Sequence, residues 1–309
     1  MRRFQVVSVV LVILVGLTAI AFARPANAQP HAQDASSHMF VIVQPSTEIQ
    51  QGRSALLRVQ ILDGSQPKEV QATFLGHVIY LYPSVDGDWV GFLGVDMEAP
   101  RGTQPVEIFY NDTDGVQQTF TQEVSVVWGA FTYQDIGLPY ALEPLLDPEI
   151  NREEEETLLR AMNRTTPEKF FTSFITPVRD IVISEFGGIR NYNNDAFTGR
   201  HTGTDYMATT GDPVAAAADG RVVFIAHLPI HGNHIIIDHG WGILTGYSHL
   251  SEIQVVPGQL VRQGQTIGLV GATGRVQGAH LHFEVMVNGV WVDPPQFLTL
   301  PLPASLPNP

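Results

Sequence analysis

Eight of the chain's eleven histidines fall between residues 201 and 282, at 201, 227, 231, 234, 239, 249, 280 and 282. Histidine is the commonest metal ligand and the side chain that titrates nearest neutrality, so such clustering points to a metal site. His201-Thr-Gly-Thr-Asp205 opens the stretch, with Gly203 between two threonines. That reads as a turn leading into a short strand, although the four-residue spacing would also suit one helix face. Either way an imidazole and a carboxylate can converge on one ion, and zinc accepts both donor types. Alone, a His and an Asp this close are ordinary surface residues. His280-Leu-His282-Phe-Glu284 closes the stretch. On a strand His280 and His282 share one face, while Leu281 and Phe283 take the other. Two adjacent imidazoles can be two ligands, a ligand and a proton-transfer group, or simply an exposed pair. Gly246-Tyr-Ser-His249-Leu250 lies between them, and the chain has no cysteine, so thiolate zinc sites and disulfides are impossible.

Taken together these patches resemble the M23 zinc metallopeptidase family, the lysostaphin-like or LytM-type cell-wall endopeptidases. The resemblance runs from Ser184 to Pro294. It also takes in Ser184-Glu-Phe-Gly-Gly-Ile-Arg190, Gly211-Asp-Pro-Val-Ala-Ala-Ala-Ala-Asp-Gly220, Gly232-Asn-His-Ile-Ile-Ile-Asp-His-Gly240 and Val261-Arg-Gln-Gly-Gln-Thr-Ile-Gly268. It implies one zinc ion per chain held by His201, Asp205 and His282, with His249 and His280 as the catalytic histidines. The activity implied is hydrolysis of cross-links or stem peptides of bacterial peptidoglycan by metal-activated water. His280 would be the general base and His249 the oxyanion donor, or the reverse. No metal or catalytic position departs from the family pattern. The alternative, a wall-binding module or an activator of another hydrolase, fits less well with an intact ligand set. The Val256 to Gly268 stretch also resembles the hairpin of biotinyl or lipoyl carriers, but those need a lysine, and the last lysine is Lys169.

Residue spacing predicts a mainly β chain that positions these groups. At 309 residues it has length for about two domains. A net charge of −14 argues against nucleic acid, whose phosphates call for Lys and Arg clusters. Residues 1–28 read as an export signal: Arg2 and Arg3, an apolar Phe4 to Phe22 run, then Ala26-Asn-Ala28. The run is long enough that a retained membrane anchor is the other reading. An exported protein of the periplasm, cell surface or extracellular space follows. Residues 29–37 read as a linker. Residues 38–130 carry short alternating segments split by Asp-Gly turns, which predicts an immunoglobulin-like β-sandwich. Residues 131–180 form a helical linker, with Asp147-Pro148 starting a helix and an acidic run on its solvated face. A second short helix is expected over Pro167 to Phe174. Residues 181–300 read as nearly all β, which the resemblance implies is a LytM-type antiparallel β catalytic domain, and 301–309 as a Pro-rich tail.

The remaining polar residues carry plainer expectations. Residues 191–200 read as a loop bordering the cleft. Asn233 could hydrogen-bond a substrate backbone, and Arg190 could clamp a substrate carboxylate, with a salt bridge as the competing role. His234 and His239 fit strand surface or partners that orient ligands. His227 and His231 sit in an expected loop and could touch substrate. Tyr247 is expected to face the core, and His77 to be structural.

Overall fold

The computed structural model describes residues 39–179 and 181–303. The expected export signal, the 29–37 linker and the end of the tail lie outside the described residues. Among these residues no helix is long and apolar enough to cross a membrane.

The chain begins with eight strands: β1 (Met39–Gln44), β2 (Glu48–Gln50), β3 (Ser54–Ile61), β4 (Val70–Phe74), β5 (His77–Pro83), β6 (Trp89–Gly94), β7 (Gly102–Asn111) and β8 (Gln117–Val127). Their order is β1-β3-β6-β5-β4-β7-β8-β2. β5 pairs with β4 along most of its length and with β6 only at Tyr82 and Pro83, so it joins two runs of strands. Alternation makes the core: Val70, Ala72 and Phe74 are buried, as are Val106, Ile108 and Tyr110, while their neighbours are not. Side chains of both runs meet in one apolar cluster.

Next come β9 (Tyr133–Ile136), a 3-10 helix (Tyr140–Leu146) and α1 (Pro148–Met162). Asp147 caps α1 by accepting from the Glu149 N–H, with Pro148 at the first position. Leu158 and Met162 are buried on its inner face, and so is Glu154. The acidic run is therefore not a uniformly solvated face. Glu154, Leu158 and Met162 stand four residues apart, which puts Glu154 on the apolar stripe. The helix expected over Pro167 to Phe174 does not form. Backbone groups there bond across to a turn instead, Phe170 N–H to the His239 carbonyl and the Trp241 N–H to Thr166. Phe171 and Phe174 are nonetheless buried in the core.

The remainder is almost all strand: β10 (Val182–Ser184), β11 (Ile189–Tyr192), β12 (Phe197–Arg200), β13 (Thr204–Met207), β14 (Pro213–Ala215), β15 (Gly220–Leu228), β16 (Gly232–Gly240), β17 (Ile243–Leu250), β18 (Glu252–Ile253), β19 (Leu260–Val261), β20 (Thr266–Leu269), β21 (His280–Val287) and β22 (Val290–Val292), then a short α2 (Pro294–Phe297). The main sheet runs β10-β13-β21-β17-β16-β15-β19, with β22 also on β21. The stretch expected as a loop at 191–200 is largely a hairpin, β11 against β12, with β9 parallel to β11 on the other side. Asn193, Asn194 and Asp195 all take positive φ, which their short polar side chains tolerate, and this makes the tight turn.

Strands from the two ends of the chain share a core. Leu56, Val90 and Phe92 sit in one cluster with Phe171, Trp241 and Phe297. The Phe92 ring lies 6.2 Å from both Phe171 and Phe297, and Tyr82 stacks on Trp241 at 4.9 Å. Phe92→Ala is expected to destabilise the protein by about 3–5 kcal/mol through the lost burial and the cavity left behind. Chemical denaturation checks this; a loss below about 1 kcal/mol would show that the junction is not close-packed.

Candidate metal centre and active site

Strand register brings the first two groups together. In the antiparallel β13–β21 pair Asp205 stands directly opposite His282, and Met207 opposite His280. His201 precedes β13 and folds back over the same spot. Gly203 makes that approach feasible: a Cβ there would lie 2.5 Å from the Phe283 carbonyl and 2.8 Å from the His282 ring. His201 Nε2, His282 Nδ1 and Asp205 Oδ1 then converge, each 2.9–3.0 Å from the others. All three residues are buried, and they form a group that could hold a metal ion.

The hydrogen bonds fix which nitrogen is bare. His201 Nδ1 lies 2.7 Å from the Glu185 carbonyl, which can only accept, so Nδ1 carries the hydrogen and Nε2 presents a lone pair. Burial lowers the His201 pKa to about 4, so the ring is neutral at neutral pH. A lone pair thus faces a carboxylate oxygen at 2.9 Å, an arrangement that needs a positive charge between them. Burial pushes Asp205 upward, but its imidazole partners outweigh this and hold the carboxyl well below the usual range. Burial opposes protonation of His282, yet the hydrogen bond to Asp205 and the nearby Glu284 carboxylate raise it to about 9. Two imidazoles and a carboxylate around one point are donors that suit zinc, so the residues present fit such an ion.

His249 and His280 flank this triangle. The His249 ring is 5.8 Å from His282 and 4.8 Å from His280. His280 Nε2 is 3.6 Å from Asp205 Oδ1, so His280 and His282 do share a face. His249 Nδ1 donates to the Thr273 carbonyl and His280 Nδ1 to Gly278, both at 2.9 Å. Each therefore offers a bare Nε2. Burial, reinforced by nearby imidazoles, holds His249 well below the ordinary imidazole value. Burial also lowers His280, with Asp205 opposing. His249 sits at φ +63°, in the left-handed region that a β-carbon disfavours. Such strain, of order 1–3 kcal/mol, gathers at functional sites.

A cavity of about 170 Å³ opens beside the triangle, lined in part by His201, His249, His282, His231, Arg190 and Glu154. Arg190 binds Asp205 Oδ2 and donates to Ser184 Oγ at 2.9 Å, so the salt bridge rather than a clamp occupies this end of its guanidinium. Asn233 is not brought to the cavity. Its amide donates to the Leu250 carbonyl and its oxygen meets His227 Nδ1, both at 2.8 Å. His234 is fully buried with Nδ1 on Ser248 Oγ. His239 lies elsewhere, bridging the Asp219 carbonyl and Thr245 Oγ1. Tyr247 faces the core as expected, its hydroxyl accepting from the Ala217 N–H.

Two carboxylates escaped the sequence reading. Glu284 is fully buried. It accepts from Thr202 Oγ1 at 2.7 Å, and Oε1 lies 3.5 Å from His282 Nε2. Its place two residues after His282, on the same strand face, was the available signal. Glu154 reaches the site from α1 and is taken up below.

Residues 199–294 match Peptidase family M23. The chain is 40% identical to peptidoglycan DD-endopeptidase ShyB of Vibrio cholerae over 140 residues, 44% of this chain and 30% of that protein. It is 45% identical to ShyA of the same organism over 108 residues, 35% of this chain and 25% of that protein. DD-carboxypeptidase/endopeptidase Mpg of Neisseria meningitidis is 46% identical over 103 residues, 33% of this chain and 24% of that protein. The chain thus spans less than a third of the length of these relatives. A crystal structure from Pseudomonas aeruginosa, described as a peptidase M23, superposes with a TM-score of 0.60 at 25% identity, covering 80% of this chain and 93% of that one.

Proposed function

From the premise that this chain carries a peptidase family M23 domain, we propose that it is an exported zinc-dependent endopeptidase acting on the peptides of bacterial peptidoglycan. The observation that carries this is the convergence of His201 Nε2, Asp205 Oδ1 and His282 Nδ1 within 3.0 Å of one another. Relatives named peptidoglycan DD-endopeptidases support the substrate class, and with it a site of action at the cell wall or in the periplasm.

His201, Asp205 and His282 would hold the ion, with Arg190 fixing the Asp205 carboxylate from behind. When bound, zinc supplies Lewis acidity toward a scissile carbonyl and an attacking water. The chain's own residues handle the protons. His280 is less buried than His249 and its Nε2 is bare, so it is the group placed to take the water proton and return it to the leaving amine. His249 also presents an unprotonated Nε2. Its part as oxyanion donor therefore requires it first to gain a proton; unprotonated, Nε2 can only accept a hydrogen bond. The N-terminal strands are read as an immunoglobulin-like sandwich over 38–130. The order β1-β3-β6 on one run and β5-β4-β7-β8-β2 on the other supports this. Residues 131–180 then serve as linker and 181–300 as the peptidase domain.

The test is digestion of cross-linked wall peptides by the purified protein, with products identified by mass spectrometry. New amine and carboxyl ends that vanish with a chelator and return with zinc are expected. No products from zinc-loaded protein would overturn the reading in favour of an activator or binding module.

The pH profile follows from the same burial. A base acts only when neutral, and burial lowers His280 below 6.5. The neutral form then persists below that pH, and activity is lost as pH falls through the lowered value. The acid limb of kcat/KM should lie below pH 6.5, the ordinary imidazole value. A limb at or above that value would mean the base is an unperturbed group.

A further inference from the structure

We propose that Glu154 and His231 are positioning residues of the metal centre, through which helix α1 holds Glu284 against His282. Glu154 lies on α1, outside residues 199–294, yet is only 4% exposed. Its carboxylate accepts from the Ile230 N–H at 2.7 Å and the His231 N–H at 2.9 Å, and binds His231 Nδ1 at 2.5 Å. With Nδ1 hydrogen-bonded to Glu154, the other ring nitrogen is aimed at the centre: His231 Nε2 is 3.8 Å from Glu284 Oε1. The same oxygen is 3.5 Å from His282 Nε2. A row of carboxylates and imidazoles thus runs from α1 to a candidate ligand, hydrogen-bonded between Glu154 and His231 and in charge contact beyond it. Such outer partners orient a ligating histidine and fix its tautomer. The His231 ring also lies 5.4 Å from His282 and parallel to His249 at 6.4 Å, so it stands beside both.

The alternative, that α1 is a lid over the cavity, is disfavoured by how the helix is anchored. Leu158 and Met162 are buried in one cluster with Ile236, Leu244 and Met286 of the main sheet. That makes α1 a fixed wall.

The inference rests on the zinc reading above, and the two can fail separately. The probe is zinc itself, titrated into the metal-free full-length chain against a chromophoric chelator, alongside thermal unfolding and steady-state kinetics. Glu154→Gln keeps an acceptor oxygen but loses the charge. It should weaken zinc affinity about tenfold or more, as outer-shell changes do, and lower kcat with KM little changed. His231→Gln, at the rim of the cavity, should do the same while leaving the backbone bonds from Ile230 and His231 to Glu154 and the apolar packing of α1 in place; it decides the matter if Glu154→Gln does not fold. Unchanged zinc affinity in the folded variants overturns the inference and leaves the zinc site standing. Unchanged affinity with faster hydrolysis would make α1 a lid. A wild-type chain that takes up no zinc overturns both.

Discussion

Replacing His282 with alanine is expected to strip the protein of zinc and abolish peptide hydrolysis. His282 is the hub of the site: Nδ1 meets His201 and Asp205 at 3.0 and 2.9 Å, and Nε2 faces Glu284. Removing it leaves only two of three donors for the ion. The loss should exceed the about 10–100-fold that outer-shell changes cost. The variant also takes the nearer of two imidazoles away from Glu284, which is fully buried. An uncompensated buried charge costs about 3–5 kcal/mol, so a fall in thermal stability should accompany the lost metal. Metal analysis after dialysis and peptide-release assays check the two outcomes. A variant that retained one zinc per chain and normal turnover would place the ion elsewhere.

His280→Ala should behave differently. The ring stands beside the triangle, 3.6 Å from Asp205 Oδ1, and contributes no atom to it. Zinc content should be unchanged while kcat falls about 10²–10⁴-fold, the usual contribution of a positioned general base. KM should move little, because the lost interaction is with a proton in flight. Single-turnover kinetics on a defined cross-linked peptide separate these. Normal turnover would remove His280 from the mechanism and pass the proton to His249. Loss of zinc would make His280 a ligand.

How much of this could be read in advance depended on whether the geometry was local. His280 and His282 are two apart on a strand, so their shared face followed from alternation alone. That Asp205 meets His282 did not, because it depends on the register of strands 77 residues apart. The resemblance to a known family supplied it instead. Glu154 was legible as helix but not as buried: its acidic neighbours suggest solvent, and only the four-residue spacing to Leu158 and Met162 betrays its side. The Asn193–Asp195 turn was hidden because a two-stranded hairpin beside a cleft carries no apolar alternation. Phe171 and Phe174 are buried, yet their segment bonds to the turn at His239 rather than to itself, which no local pattern specifies.

Anomalous diffraction at the zinc edge, from crystals of the zinc-loaded protein, tests the central claim most directly. One strong peak within bonding distance of His201 Nε2, Asp205 Oδ1 and His282 Nδ1 is the expected result. A peak held instead by His231 and Glu284, the neighbouring donor group with His282, or none near residue 205, would contradict it.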